Sequence, residues 1–215
     1  MLQVQQIEIP PGHRTLLREL DWQAFEEVLR DLGEKRNTRI ANATGTLEIR
    51  MPSPEYERVK VLLAHLLVVL LDALGWDWES LGSTTFKHPA SNVGIEPDDC
   101  FYIQNCAAIL GKHRLDLSID PPPDLAIEVD LTSKTRLSAY TTLRVPEIWR
   151  YQNNELTISV LEGDTYTHSS NSRIFPNIPI ISLFSEYLAN TSQPMSAIRK
   201  AFRLQIDTLN LSEQP

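Results

Sequence analysis

Between Pro121 and Asp130 the chain reads PPPDLAIEVD, with acids at alternate positions near its end. Side chains of a strand alternate between two faces, so Leu125, Ile127 and Val129 point into a core while Asp124, Ala126, Glu128 and Asp130 share the other face. Three acids on one face repel each other unless a cation or water compensates. Magnesium is one such compensator, because it takes one or two carboxylates and keeps several waters. A second acidic cluster, Glu96, Asp98 and Asp99, lies in GIEPDDCFYI, where Pro97 ends or edges a strand that Cys100 to Ile103 continue. If the two strands are neighbours, Asp98 and Glu128 meet at one end and can hold a hard cation between them. Such a pair suits hydrolysis of a phosphodiester, because the ion polarises the phosphoryl oxygen and lowers the pKa of the attacking water. Acids at strand ends can also do no more than solubilise a sheet, and spacing alone favours that plainer account.

Several elements are needed to position these acids. Asp21 is placed to cap a helix from Leu20 to Gly33, with Trp22, Phe25, Leu29 and Leu32 at helical spacing. Thr38 to Met51 alternates on either side of Asn42 to Gly45, which predicts a hairpin. Ser53-Pro54-Glu55 starts a helix that Gly75 stops near Leu74, and its middle is apolar on nearly all sides, so other elements must cover it. Strands are expected at Asp77 to Leu81, Thr84 to Lys87, Ile95 to Ile103 and Leu125 to Leu131, then a helix from Ser133 to Arg144. A second hairpin joins Glu147–Tyr151 to Leu156–Leu161, with Thr165 to His168 as a third strand. Ile174 to Ile180 reads as extended, and Ser182–Leu188 and Met195–Leu209 as helices. The order predicts an α+β fold, a single domain over 1–215 with a core at about 53–170 and a helical extension at about 182–210.

Composition narrows the function. With 20 basic against 28 acidic residues, the net charge of -8 argues against holding nucleic acid by charge alone. Two cysteines, Cys100 and Cys106, make neither a disulfide framework nor a paired zinc motif. They point to a reduced, cytoplasmic setting. The N-terminus has no signal-peptide pattern, and the longest apolar run, Val61 to Leu71, falls short of the about 20 residues that span a bilayer. No membrane association is expected. The five histidines lack ligand spacing, no serine has a nucleophile-elbow setting, and the phosphate-cradling glycine motifs are absent.

ESLGSTTFKH, GIEPDDCFYIQN, PPPDLAIEVDLTS and Tyr140 followed by RVPEIWRY occur here in order. In that combination, over roughly Asp21 to Phe202, the chain closely resembles the bacterial Uma-two family of restriction-endonuclease-like proteins. The resemblance implies the PD-(D/E)XK nuclease fold: a central mixed sheet flanked by helices, with an N-terminal helix and hairpin and C-terminal helices. It implies an endonuclease that hydrolyses DNA with magnesium, or manganese in its place, and that is often a homodimer. Asp98 would be the first metal ligand, Glu128 the second, and the backbone carbonyl of Val129 a third. The position two after Glu128, where the superfamily normally has a lysine, holds Asp130. In many relatives the lysine lies in the following helix, at the position of Arg136, and Lys134 is the alternative helper. Glu57, in the first long helix, matches where the fold often adds an acid, and is equally explained as a first-turn glutamate favoured by the helix dipole. Glu48 and Gln104 are weaker candidates. A nuclease-derived binding protein that has lost its lysine is the competing class, and a metal-dependent hydrolase of another substrate a third.

The net charge also has a location. Asp72 to Asp130 contains eleven acids and three bases, and the rest of the chain has 17 of each sign. That local field would repel phosphate without a divalent ion and could admit it with one.

Overall fold

The computed structural model describes residues 7–33, 37–130 and 137–209. After the strand β1 (Arg14–Arg18), helix α1 spans Trp22–Leu32, where Asp21 accepts a hydrogen bond from the Ala24 N–H at 2.8 Å and Gly33 closes the end. β2 (Arg39–Ala43) and β3 (Thr46–Arg50) form the expected hairpin around Thr44 and Gly45, both at positive φ. That pair of left-handed residues matches the twist of the strands it joins. Helix α2 (Pro54–Leu74) follows; the Ser53 hydroxyl accepts from the Tyr56 N–H at 3.2 Å, and Gly75 sits in the left-handed conformation at φ 67°. Both ends use the residues that the sequence marks for them.

Next come β4 (Glu79–Ser80), β5 (Phe86–His88), a single 3-10 turn at Pro89–Ser91, β6 (Val93–Ile95), β7 (Asp99–Tyr102) and the short helix α3 (Cys106–Ile109). β8 (Leu125–Val129), α4 (Leu137–Leu143), β9 (Glu147–Gln152), β10 (Glu155–Glu162) and β11 (Thr165–Ser169) complete the strands, and α5 (Ile180–Leu188) and α6 (Met195–Thr208) end the described chain. The fold is mixed α+β. Two segments differ from their sequence reading. Ile95 to Ile103 is two strands in two different sheets, because the chain breaks at Pro97, which has no N–H to give to a ladder. Ile174 to Pro179 forms bends and turns rather than a strand, and buries Ile174, Phe175 and Ile178 beneath α5.

The hairpin does not stand apart. It belongs to a five-stranded antiparallel sheet of order β1-β3-β2-β6-β5. The six-stranded sheet has order β11-β10-β9-β8-β7-β4 and is mixed: β8 and β9 run parallel with α4 crossing between them, and the other pairs are antiparallel. One face of this sheet, with Phe101, Leu125, Ile127, Val129, Trp149 and Tyr151, packs on α2, α5 and α6. This is the cover that the apolar α2 requires, and each leucine it buries contributes about 1.5–3 kcal/mol. The opposite face, with Cys100, Tyr102, Ala126 and Ile148, meets α4 and residues of the five-stranded sheet. The acid-bearing face of β8 is therefore also inside the protein. A third cluster, centred on Phe25, Leu47 and Ile49, joins α1 to the five-stranded sheet. Among the described residues, no helix is long and apolar enough to cross a membrane.

Candidate active site

β7 and β8 are antiparallel neighbours, with Asp99 opposite Ile127, and the Asp98 N–H donates to the Ile127 carbonyl at 3.0 Å. Asp98 thus sits at the start of one strand and Glu128 near the end of the next. The pairing register brings the two acids to one place. Asp98 Oδ2 accepts from the Val129 N–H at 2.6 Å, so the backbone of β8 fixes its orientation. Asp98 Oδ1 accepts from the Tyr56 hydroxyl and from Arg50 Nη2, the latter at 3.0 Å. Glu128 Oε1 accepts from the Tyr140 hydroxyl, and its Oε2 lies 3.7 Å from the same Arg50 Nη2. Arg50 Nη1 lies 3.7 Å from Asp130 Oδ1. One guanidinium therefore faces three carboxylates, and all four residues are buried.

Each partner comes from a different element, for local reasons. In β3, Leu47 and Ile49 turn toward α1, so the alternate residues Glu48 and Arg50 turn the other way. Tyr56 lies in the first turn of α2, where its ring packs 5.3 Å from the Arg50 guanidinium carbon. Tyr140 is on the buried face of α4 with Ala139 and Leu143. Burial is expensive for charge, and it dominates the ionisation here. Asp98 is pushed up to about 6 by burial, against the pull of Arg50 and the Val129 N–H. Glu128 is raised well above the ordinary carboxylate range by burial, then by the adjacent Asp98. For Arg50 burial acts to lower the pKa, but Asp98, Glu128, Asp130 and Glu48 together outweigh it and hold the guanidinium charged.

The other candidates are dispersed. Glu57 is partly exposed and paired with Lys60 at 2.5 Å, with Arg39, which also acts on Asp98, at 4.0 Å. Glu48 binds Arg14 at 2.9 Å. Gln104 is exposed at the end of β7. Val129 is the last residue of β8, beside both acids. Lys134 and Arg136 lie outside the described residues. Glu96, across the break at Pro97, turns to the other sheet and accepts from the Ile40 N–H at 3.2 Å and Thr85 Oγ1 at 2.5 Å. Asp124 is also structural: it accepts from the N–H groups of Ile103 and Asn105 and from Asn105 Nδ2. Sequence reasoning missed Arg50, Tyr56 and the hydroxyl role of Tyr140. The alternation of TLEIR could have flagged Arg50, since it sets Glu48 and Arg50 opposite Leu47 and Ile49.

The donor chemistry fits a hard divalent cation. Asp98, Glu128 and Asp130 all offer carboxylate oxygens, the donors that a hard divalent cation takes. Among the described residues, no set of three or more His, Cys, Asp or Glu side chains is arranged to hold a metal ion. Asp98 and Glu128 are the two carboxylates that would hold such an ion, with water completing its shell.

No curated protein matches the chain. A solved structure from Anabaena variabilis ATCC 29413, described as "a putative nuclease belonging to DUF820", is 11% identical and aligns over 85% of this chain and 99% of its own, with a TM-score of 0.48. The Uma2 family, described as "Putative restriction endonuclease", matches residues 22–186, and the chain belongs to it.

Proposed function

We propose that the protein is an endonuclease that hydrolyses phosphodiester bonds in DNA, with magnesium or manganese held by Asp98, Glu128 and the Val129 carbonyl. The observation that carries this function is the convergence of Asp98 and Glu128 on one guanidinium nitrogen, in a chain of a restriction-endonuclease family. When bound, the ion would polarise a phosphoryl oxygen and lower the pKa of a coordinated water. The chain's own residues set the stage for it. The Val129 N–H and Tyr56 hold Asp98, and Tyr140 holds Glu128, so neither carboxylate has to reorganise when charge develops. In the reaction the water oxygen bonds to phosphorus, one P–O ester bond breaks, and the water's proton ends on the departing oxygen. Lys134 and Arg136 remain candidate electrostatic helpers, and Glu57 a candidate outer acid. A homodimer acting in the cytoplasm fits this function, because one site cuts one strand and a two-fold pair reaches both.

Purified protein incubated with supercoiled plasmid and Mg²⁺ or Mn²⁺ is expected to nick or linearise it, and Asp98→Ala and Glu128→Ala to abolish this. Cleavage that survives both substitutions would exclude this site. The acid at position 130 favours one alternative, a nuclease-derived module that binds nucleic acid or protein without cutting. Retarded DNA migration with no cleavage under either metal would select it.

A further inference from the structure

We propose that Arg50 carries the positive charge that this site uses during hydrolysis, in place of the lysine that the nuclease fold normally sets two residues after its second acid. The role assigned to Arg50 rests on reading the Asp98–Glu128 pair as the metal site of a phosphodiester hydrolase. Position 130 holds an acid, and its carboxylate lies 3.7 Å from Arg50 Nη1. Charge and position have been exchanged: the strand that should bring the base brings Asp130, and the base enters from β3 of the facing sheet. It reaches the proposed metal site. Nη2 lies 3.0 Å from Asp98 and 3.7 Å from Glu128, between the two proposed ligands.

The packing around Arg50 holds this arrangement. The Tyr56 ring lies against the guanidinium, and the same tyrosine's hydroxyl donates to Asp98, so one side chain positions both the arginine and the acid. A planar guanidinium suits clamping a phosphoryl oxygen beside a carboxylate, while its permanent charge unsuits it to take a proton. Arg50 therefore acts through its charge and its fixed donor geometry, and takes no proton. Because it shares Asp98 and Glu128 with any divalent ion, it must also weaken the ion's binding. A residue there only to balance buried acids would share the second property and lack the first.

The test pairs a Mn²⁺ titration by calorimetry with plasmid cleavage at saturating Mn²⁺, on wild type, Arg50→Gln, Arg50→Lys and the double variant Arg50→Gln/Asp130→Lys. Arg50→Gln should bind Mn²⁺ about tenfold more tightly, the effect of one nearby unit charge. It should nonetheless cleave about a hundredfold more slowly, and Arg50→Lys should lie between it and wild type. The double variant, with a lysine restored at the superfamily position, should regain part of the lost rate. Wild-type cleavage by Arg50→Gln overturns the proposal, as does Mn²⁺ binding no tighter than wild type. If Arg50→Gln does not fold, Arg50→Met, which also removes the charge, decides, and an undiminished rate overturns the proposal. Wild type that cuts no DNA under either metal defeats the nuclease function itself, and the titration then decides separately whether Arg50 and the ion share one site.

Discussion

Arg50 donates to Asp98 at 3.0 Å from a different sheet, across a separation of 48 residues in the chain. Neither residue could be buried alone at tolerable cost, because an unpaired charge in the interior is destabilising by several kcal/mol. Asp98 is met by Arg50, Tyr56 and the Val129 N–H, and Glu128 by Arg50 and Tyr140. Three acids lie close to this one guanidinium in the interior, which gives the cluster measurable consequences whether or not the protein cuts DNA.

The first consequence is pH dependence. Burial raises Asp98 to about 6 and Glu128 well above the ordinary carboxylate range, and burial also raises Asp99. Folded-state values above the unfolded ones mean that the native chain holds more protons than the unfolded chain from about pH 4 upward. Stability should therefore fall as pH rises through that window and on toward neutrality. His65 opposes this, since burial and then Arg199 lower its pKa, but it is one group against two fully buried acids. Without divalent metal the Tm should be lower at pH 8 than at pH 5, and Mn²⁺ should restore it at pH 8. A metal-free Tm that climbs steadily from pH 5 to pH 8 would contradict this.

Glu128→Gln should separate stability from activity. The amide still accepts from Tyr140 and removes a charge that Asp98 and Asp130 repel. Without metal at pH 8, urea unfolding should show the variant more stable than wild type, by about 1 kcal/mol. Cleavage should disappear. A variant less stable than wild type would mean that the negative charge of Glu128 is itself stabilising.

Tyr140→Phe removes the hydroxyl that donates to Glu128 and leaves the ring packing intact. A hydrogen bond to a charged, buried group contributes about 1.5–3 kcal/mol, and a loss of that size is expected at pH 8. The loss should shrink as pH falls, because burial raises the Glu128 pKa and the carboxyl takes up a proton. Equal destabilisation at pH 8 and at pH 5 would show that the hydroxyl does not sense the charge of Glu128.

The five-stranded sheet that carries Arg50 depends on close packing at Gly94. A Cβ at this position would lie 2.6 Å from Phe25 Cζ and 2.9 Å from Cε1, too near for any ordinary contact. Phe25 is fully buried, so its ring has little room to retreat. Gly94→Ala should destabilise the protein by about 1–3 kcal/mol in urea, as overpacked cores do. Phe25→Leu in the same chain should recover part of that loss, because the smaller side chain vacates the ring tip. Additive losses in the double variant would rule out this contact as the cause.

Much of the architecture was legible locally. Asp21, Ser53, Gly33 and Gly75 mark helix ends because caps use backbone groups within a few residues. The alternation of Leu125 to Val129 sorts side chains between faces without reference to any partner strand. It also put Asp98 and Glu128 forward as a pair, on the condition that their strands were neighbours. What that alternation could not tell was whether the acid-bearing face of β8 met water or protein, since a polar residue facing α4 reads like one facing solvent.

Three features were decided only by the tertiary structure. Pro97 could have edged one strand or ended it, and the pairing of β6 with β2 but β7 with β8 settled that it divides two sheets. β1 is a strand because β3 offers it an edge to pair with, a partner its own pattern does not reveal. Arg50 became the counter-ion of Asp98, Glu128 and Asp130 because the hairpin of one sheet closes over the strand ends of the other. The sequence by itself determined which residues could carry charge and which faces they would occupy. Only the packing of the two sheets determined which charges meet, because desolvation and pairing depend on neighbours brought from distant parts of the chain.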